Sequence, residues 1–90
     1  MTRQEMLDAC MDLMAEIQRS IELHGTWGEY DSGQVCKVVC DEHDEYMLAY
    51  IANDFDGEHG QERELLQVAC TAIKGRHRLQ QIRALLPRCQ

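Results

Sequence analysis

Proline and aromatic residues are scarce in this chain. Its 90 residues include one Pro, one Trp, three Tyr and one Phe, although 44% of them are apolar. Proline interrupts helices, and strands show an alternation of apolar and polar residues that no segment of this chain displays. These absences exclude a β-sheet fold and predict an all-α protein. We expect one domain, residues 1–90, folded as a small helical bundle.

Long apolar runs and an excess of positive charge are also missing. No segment approaches the roughly 20 apolar residues of a membrane span, and no signal peptide is recognised, so we expect a cytoplasmic protein without membrane partners. The net charge is -7, which argues against general nucleic-acid binding, because such proteins neutralise phosphates with Lys and Arg. After Glu64 all charges are basic; this end either contacts phosphate or complements the acidic part of the fold and the helix dipoles.

The five cysteines are an odd number. Because free cysteine packs as a small hydrophobic residue, we expect reduced thiols and a cytosolic setting. Cys36 and Cys40 lie one helical turn apart and could ligate a metal together with His43, but no CxxC pair supports this alternative.

The first helix is marked at both ends. Thr2 is an N-cap candidate, and Glu5, three residues later, completes a capping box. The helix should run to about Leu23 and end at His24-Gly25. Apolar residues recur along it at spacings of three and four, which predicts a buried stripe. The members of this stripe are Met6, Cys10, Leu13, Met14, Ile17 and Ile21.

A loop with the only Trp joins the first two helices. Trp27 stands between Gly25 and Gly28, and we interpret it as a packing anchor for the loop, with a wall for a nucleotide base as the alternative. Asp31 or Ser32 can cap the second helix.

The second helix should run to about Asn53 or Phe55. Toward its end, apolar residues occupy nearly every side, which is more than one small bundle can cover. These residues are Met47, Leu48, Tyr50 and Ile51. A partner chain is the natural cover, so we expect a homodimer or a higher homo-oligomer.

The third helix is predicted to begin near Gly60 or Gln61. Gly75 should interrupt it, because glycine costs about 1 kcal/mol relative to alanine inside a helix. We expect a bend there, followed by a short C-terminal helix that stops before Pro87. The predicted bundle thus has three long helices and one short one, and oligomerisation completes it.

Four carboxylates fall within residues 41–45, in the middle of the second helix. Glu42 follows Val38 by one turn and Glu45 follows Glu42 by one turn, so both acids stand on an inward stripe. Burying an unpaired charge is strongly unfavourable unless a cation or a dense hydrogen-bond network compensates. A positive group should therefore meet these acids.

The third helix carries a similar pair, Glu64 and Gln67. If the two helices pack antiparallel, both pairs come to one point. Converging oxygens suit a hard divalent cation, Mg²⁺ or Mn²⁺, which keeps positions open for water and phosphate oxygens. The alternative is that these acids form an ordinary solvated helix face.

The same residues resemble the MazG-like all-α nucleoside triphosphate pyrophosphohydrolases. That family carries a Glu-Glu-x-x-Glu helix that is followed, after one loop, by a Glu-x-x-Asp helix. Matching residues occur here in the same order, as Trp27-Gly28, Lys37, Asp41-Glu42-x-x-Glu45 and Glu64-x-x-Gln67. The resemblance covers the chain from Trp27 to Ile73.

The resemblance implies an oligomer of helical bundles that binds Mg²⁺ and hydrolyses a nucleoside triphosphate to the monophosphate and pyrophosphate. In that chemistry the metal neutralises phosphate oxygens and lowers the pKa of a bound water. Carried over by position, the site consists of catalytic Glu42, Glu45 and Glu64 and of the metal ligands Asp41, Glu42, Glu45, Glu64 and Gln67. Lys37, Lys74 and Arg76 are candidates for binding the phosphates, on the sign of their charge alone.

Two positions depart from the family pattern. Gln67 takes the place of the Asp, and Asp41 is shorter than the Glu that it replaces. An amide oxygen can ligate a hard cation but brings no charge, which bears on activity more than on the fold. The alternative function is therefore a non-catalytic MazG-like module that binds nucleotide or protein, such as an accessory protein of a phage.

Overall fold

Three α-helices joined by two loops make up the chain in a computed structural model, which describes residues 1–86. The helices are α1 (Arg3–His24), α2 (Ser32–Ile51) and α3 (Gln61–Leu85). No strand occurs in the described residues, so the predicted all-α class is confirmed. None of these helices is long and apolar enough to cross a membrane.

Two capping boxes start α1 and α2. The backbone N–H of Glu5 donates to the hydroxyl of Thr2 over 3.1 Å, and Glu5 accepts from the N–H of Thr2 over 2.9 Å. Asp31 and Gln34 form the same reciprocal pair at 2.8 and 2.9 Å. The predicted start of α1 is therefore confirmed, and Asp31 rather than Ser32 caps α2. At the other end of α1, Gly25 has a φ of 74°, a value that favours glycine.

The helix α3 forms the centre of the molecule, and α1 and α2 each pack against it. The hairpin of α2 and α3 is antiparallel. Val35, near the start of α2, meets Gly75 in the second half of α3, whereas Glu42 meets Glu64 near the start of α3. This arrangement brings the acids of the two helices to the same end of the hairpin.

Gly75 is buried in this hairpin, and α3 continues through it to Leu85. The predicted break at Gly75 and the separate short helix are therefore wrong within residues 1–86, and Pro87 lies outside the described residues. A Cβ atom on Gly75 would lie 2.9 Å from Cγ1 of Val35 and 3.4 Å from Cζ3 of Trp27. Glycine lets the elements approach closely here, and tertiary packing overrides its low helix propensity.

The helix α1 runs parallel to α3 but is displaced along it. The side chain of Glu16 contacts Gln67, and that of Ser20 contacts Lys74. Since Gln67 lies near the start of α3, the first turns of α1 project beyond the end of that helix. These turns have no neighbouring helix within residues 1–86.

This displacement changes the predicted core. The expected burial of the α1 stripe is wrong for four of its six residues. The exposed ones are Met6, Cys10, Met14 and Ile21. The apolar residues at the end of α2 and several more on α1 are exposed as well. Within residues 1–86, the buried apolar side chains are only Trp27, Val35, Ala49 and Cys70.

The molecule is elongated. Its principal extents are 49 × 31 × 27 Å, and its radius of gyration is 15.2 Å, compared with about 12 Å for a compact domain of this length. One chain alone therefore leaves much of its apolar surface uncovered.

The loop between α1 and α2 is held by Trp27, as the packing interpretation predicted. The indole is buried and stacks on Tyr30 at 5.4 Å between ring centroids. The ammonium group of Lys74 lies 4.9 Å from the centre of the indole, and Arg78 donates to the carbonyl of Tyr30 over 2.7 Å. These contacts tie the loop to α3.

Candidate metal centre

Three carboxylates from α2 and α3 converge at one end of the hairpin. Each of Glu42, Glu45 and Glu64 offers an oxygen that lies within 4.8 Å of the others. Glu42 and Glu45 are one turn apart on α2, and Glu64 lies in the first turn of the antiparallel α3. We call these three residues the carboxylate cluster.

Two oxygens of the carboxylate cluster are buried without a hydrogen-bond partner. They are Oε2 of Glu42 and Oε2 of Glu64. Glu64 is buried and Glu42 is half-buried, whereas Glu45 is exposed. A buried acceptor without a donor is costly, because it has lost its water and gained nothing in exchange. Such oxygens are suited to a ligand that brings positive charge.

The surroundings of Glu42 disfavour its ionised form. Burial is the main cause, and the nearby charges of Glu45, Glu64 and Asp41 add to it; together they raise the pKa of Glu42 to about 7. Close carboxylates of this kind stay ionised together only when a cation compensates, and otherwise share protons. The cluster is therefore arranged either to hold protons or to bind a cation.

The other acceptor of Glu64 faces a histidine. Nδ1 of His59 lies 3.5 Å from Oε1 of Glu64, and the ring itself is exposed. His59 belongs to the loop between α2 and α3, next to Gly60, which precedes α3. The loop thus places an imidazole ring beside the carboxylate cluster.

Of the two remaining predicted metal ligands, only Gln67 reaches the site. The side-chain amide of Gln67 donates to Oε1 of Glu16, and the residue lines the same cavity as the carboxylate cluster. Asp41 is exposed and accepts from Lys37 over 2.8 Å. The structure thus brings three of the five predicted ligands to one point, places Gln67 on the wall of the same cavity and leaves Asp41 outside.

The three basic residues predicted to bind phosphate lie elsewhere. Lys37 pairs with Asp41, and Arg76 lines a groove between α2 and α3 that the carboxylate cluster does not share. Lys74 is buried, and its ammonium group donates to the hydroxyl of Ser20 over 2.9 Å. Burial lowers the pKa of Lys74.

A buried ion pair that the sequence did not reveal adjoins the cluster. Glu16 of α1 is buried and accepts from Nη2 of Arg19 at 2.5 Å and from Nε at 3.2 Å. Nη2 of Arg63, on α3, lies 3.2 Å from Oε2 of the same carboxylate. The hydrogen bond from Arg19 is the largest influence that lowers the pKa of Glu16. The available signal was weak: an acid among the apolar residues of α1 with an arginine three positions later.

The carboxylate cluster and both arginines face one open cavity of about 270 Å³. A second cavity of about 470 Å³ adjoins it and shares Glu45, His59 and Glu64. Apolar side chains from the end of α2 line that second cavity, among them Leu48, Ala49 and Ala52. The site therefore offers a polar compartment next to a less polar one.

The cysteines do not form a competing metal site. Within residues 1–86, the carboxylate cluster is the one group of three metal-ligating side chains that converges, so Cys36, Cys40 and His43 do not meet at a point. Cys10, Cys36, Cys40 and Cys70 are free thiols, and Cys89 lies outside the described residues.

Compared with protein-family models, with curated proteins and with solved structures, the chain has no significant match.

Proposed function

We propose that this protein is a cytoplasmic, Mg²⁺-dependent nucleoside triphosphate pyrophosphohydrolase of the MazG-like kind. The observation that carries the proposal is the pair of buried, partnerless oxygens on Glu42 and Glu64, next to the carboxylate of Glu45. Their arrangement fits the oxygen-rich environment that Mg²⁺ and Mn²⁺ prefer.

The residues present fit such a cation. Glu42, Glu45 and Glu64 would hold it, and the side-chain carbonyl of Gln67, which lines the same cavity, would be a further oxygen ligand. Mg²⁺ supplies charge neutralisation to phosphate oxygens and activates water. The resemblance in motif order then points to hydrolysis between the α and β phosphates.

The adjoining cavity supports a nucleotide as the substrate. Its walls at Leu48, Ala49 and Ala52 offer apolar contact for a sugar or a base, while Glu45 and Glu64 belong to both compartments. Sites of this kind combine an apolar lining with a few convergent polar groups.

A second candidate is a non-catalytic MazG-like module that binds nucleotide or protein, such as an accessory protein of a phage. Gln67 favours it: the cluster has three carboxylates where the family pattern has a further acid, and the amide of Gln67 is engaged with Glu16. With less negative charge, the site would hold fewer cations. The protein would then bind a nucleotide without hydrolysing it.

We further propose that the chain works as a homodimer or a higher homo-oligomer. Large apolar side chains are exposed along α1 and at the end of α2, among them Met11, Met14 and Ile51 at 63%, 63% and 72%. Exposed apolar surface of this extent is typical of an interface.

Pyrophosphate release from a panel of ribo- and deoxyribonucleoside triphosphates, with Mg²⁺ and with Mn²⁺, tests the enzyme. Glu42→Gln should abolish release. Asp41→Asn, an exposed neighbour outside the cluster, is the matched control and should keep it. Absence of release by the wild type at enzyme concentrations close to those of substrate would reject the enzyme, and cation-dependent nucleotide binding without turnover would favour the second candidate.

A further inference from the structure

We propose that Arg19 and Arg63 form an anion subsite that binds the phosphate chain of the substrate beside the carboxylate cluster. The inference rests on the proposed function and deepens it. It assigns the phosphate-binding role to two residues that were not among the basic residues predicted from the sequence.

The two guanidinium groups share a single counter-ion. Arg19 donates to Glu16 through Nε and Nη2, and Arg63 donates to it through Nη2. One carboxylate balances one guanidinium, so the trio carries a net positive charge. Glu16 needs only one of the two arginines for neutralisation, so one positive charge remains for another partner at the cavity that both arginines line.

Both arginines keep donors available. Their side chains are 46% and 39% exposed, and each guanidinium carries five N–H groups in a planar fork. Among the described residues, Nη1 of Arg19 and both Nε and Nη1 of Arg63 have no hydrogen-bond partner. Guanidinium groups match phosphate oxygens in bidentate geometry, and these donors are the ones such contacts would use.

Both arginines also line the cavity that the carboxylate cluster faces. A phosphate anion that enters this cavity with a divalent cation therefore meets carboxylates for the cation and guanidinium groups for itself. The other cations with described contacts are engaged elsewhere. Lys37 pairs with Asp41, Lys74 donates to Ser20, and Arg78 donates to the carbonyl of Tyr30.

Glu16 acts as a positioning residue in this arrangement. It is buried, and it also accepts from the side-chain amide of Gln67, so its carboxylate is held from α1 and α3 together. Guanidinium groups anchored in this way lose less freedom when an anion binds, which strengthens binding.

The test measures binding of tripolyphosphate by calorimetry, with and without Mg²⁺, and binding of Mg²⁺ alone. Arg19→Gln and Arg63→Gln should each weaken tripolyphosphate binding about ten- to hundredfold, since each removes hydrogen bonds from a charged donor. The affinity for Mg²⁺ alone should stay the same or rise, because positive charge near the carboxylates is lost. Arg76→Gln is the matched control on α3 and should bind like the wild type.

Lysine variants distinguish a loss of phosphate binding from a loss of folding. Arg19→Lys and Arg63→Lys keep the charge and should recover part of the affinity that the glutamine variants lose, while circular dichroism confirms their helicity. A merely structural ion pair would not link tripolyphosphate affinity to these residues.

The outcomes separate this inference from the proposed function. Tripolyphosphate binding that depends on Arg19 and Arg63, with no Mg²⁺ binding, would support the anion subsite and reject the metal-dependent enzyme. Mg²⁺ binding with tripolyphosphate affinity unchanged in both glutamine variants would overturn the anion subsite while leaving the metal centre intact. Failure of the wild type to bind tripolyphosphate under either condition would also overturn it.

Discussion

The carboxyl group of Glu42 links the site to the stability of the fold. Its pKa is raised from an ordinary 4.5 to about 7, mainly by burial. The folded protein therefore holds a proton that the unfolded chain releases between these values. It follows that, without divalent cations, the free energy of unfolding should fall as the pH rises from about 4.5 to about 7. The stabilisation that comes from protonated Glu42 is complete below a pH of about 4.5 and is lost above a pH of about 7.

Urea unfolding across this pH range, in the presence of a chelator, checks the prediction. Glu42→Gln should flatten the slope, since an amide does not titrate, whereas Asp41→Asn, which removes only the smallest influence on Glu42, should reduce it slightly. The pKa of Glu16 is lowered by Arg19, so that group acts with the opposite sign and at lower pH, where its contribution is lost as the pH falls. An equal slope in Glu42→Gln and the wild type would contradict the assignment of the titration to Glu42.

The hydrogen bond between Gln67 and Glu16 allows an isosteric exchange of charge. In Gln67→Glu two carboxylates would face each other, and we expect a loss of about 1–3 kcal/mol in the free energy of unfolding. In the double variant Glu16→Gln with Gln67→Glu, the hydrogen bond can re-form with the amide on α1. The net charge is unchanged, but the negative charge now belongs to the side chain on α3.

That exchange should raise the affinity for Mg²⁺ by about tenfold, because it moves a negative charge from α1 to a side chain that lines the cavity of the carboxylate cluster. Calorimetric titration with Mg²⁺ and urea unfolding measure the two effects separately. Stability recovered without any gain in affinity would show that position 67 does not contribute to the metal centre.

At the scale of secondary structure, Gly75 is the position where local propensity and packing disagree. Gly75→Ala would favour the helix by about 1 kcal/mol. Its new Cβ, however, would lie 2.9 Å from Cγ1 of Val35, and overpacking of this kind costs typically 1–3 kcal/mol. Valine is β-branched and cannot easily turn aside. We expect a net destabilisation of about 1 kcal/mol.

Urea unfolding of Gly75→Ala, Val35→Ala and the double variant measures this balance. The double variant should be more stable than the sum of the single changes predicts, since the smaller side chain at position 35 makes room for the methyl group. Additive effects, or a Gly75→Ala variant more stable than the wild type, would mean that the hairpin is not closely packed at this point.

The difference between local signals and tertiary packing also explains which predictions of secondary structure were correct. Thr2 with Glu5, and Asp31, mark helix starts through contacts within four residues, and such local signals were correct. The bend at Gly75 was a local inference as well, but it failed because Val35 lies forty residues away in the sequence. The apolar stripe on α1 follows helical periodicity. Its burial, however, depends on how far α1 is displaced along α3.

Local sequence patterns also predicted only part of the candidate site. Glu42, Glu45 and Glu64 could be predicted as a group because spacing within a helix and one antiparallel hairpin suffice to bring them together. Arg19 and Arg63 could not, because their meeting at Glu16 depends on the position of α1, which no local pattern determines. Lys74 and Arg76 were predicted to bind phosphate from the sign of their charge alone. The sign of a charge does not show which side of α3 a residue occupies.

At the scale of the whole molecule, the open shape requires an explanation. The radius of gyration is 15.2 Å, and α1 projects beyond α3 with an exposed apolar face that includes Met6, Leu7, Met11 and Met14. Methionine-rich helix faces adapt well to apolar partners. A second copy of the chain could cover this face, and a stable interface needs about 800 Å² from each partner.

We therefore expect the wild type to have twice its chain mass of 10.4 kDa, or a higher multiple, in light scattering after size exclusion. Met11→Glu combined with Met14→Glu should shift it to the monomer, since charges at the centre of an apolar interface are strongly unfavourable. Gln80→Glu, which adds a negative charge at an exposed polar position of α3 away from this face, is the control and should stay associated. Because the projecting turns have no neighbour within the described chain, the monomeric variant should also lose helicity, by up to about two turns, as an uncovered helix end of this length is marginal in water. A wild type that remains monomeric across the concentrations tested, with α1 fully helical, would show instead that the apolar face is stable in water without a second copy.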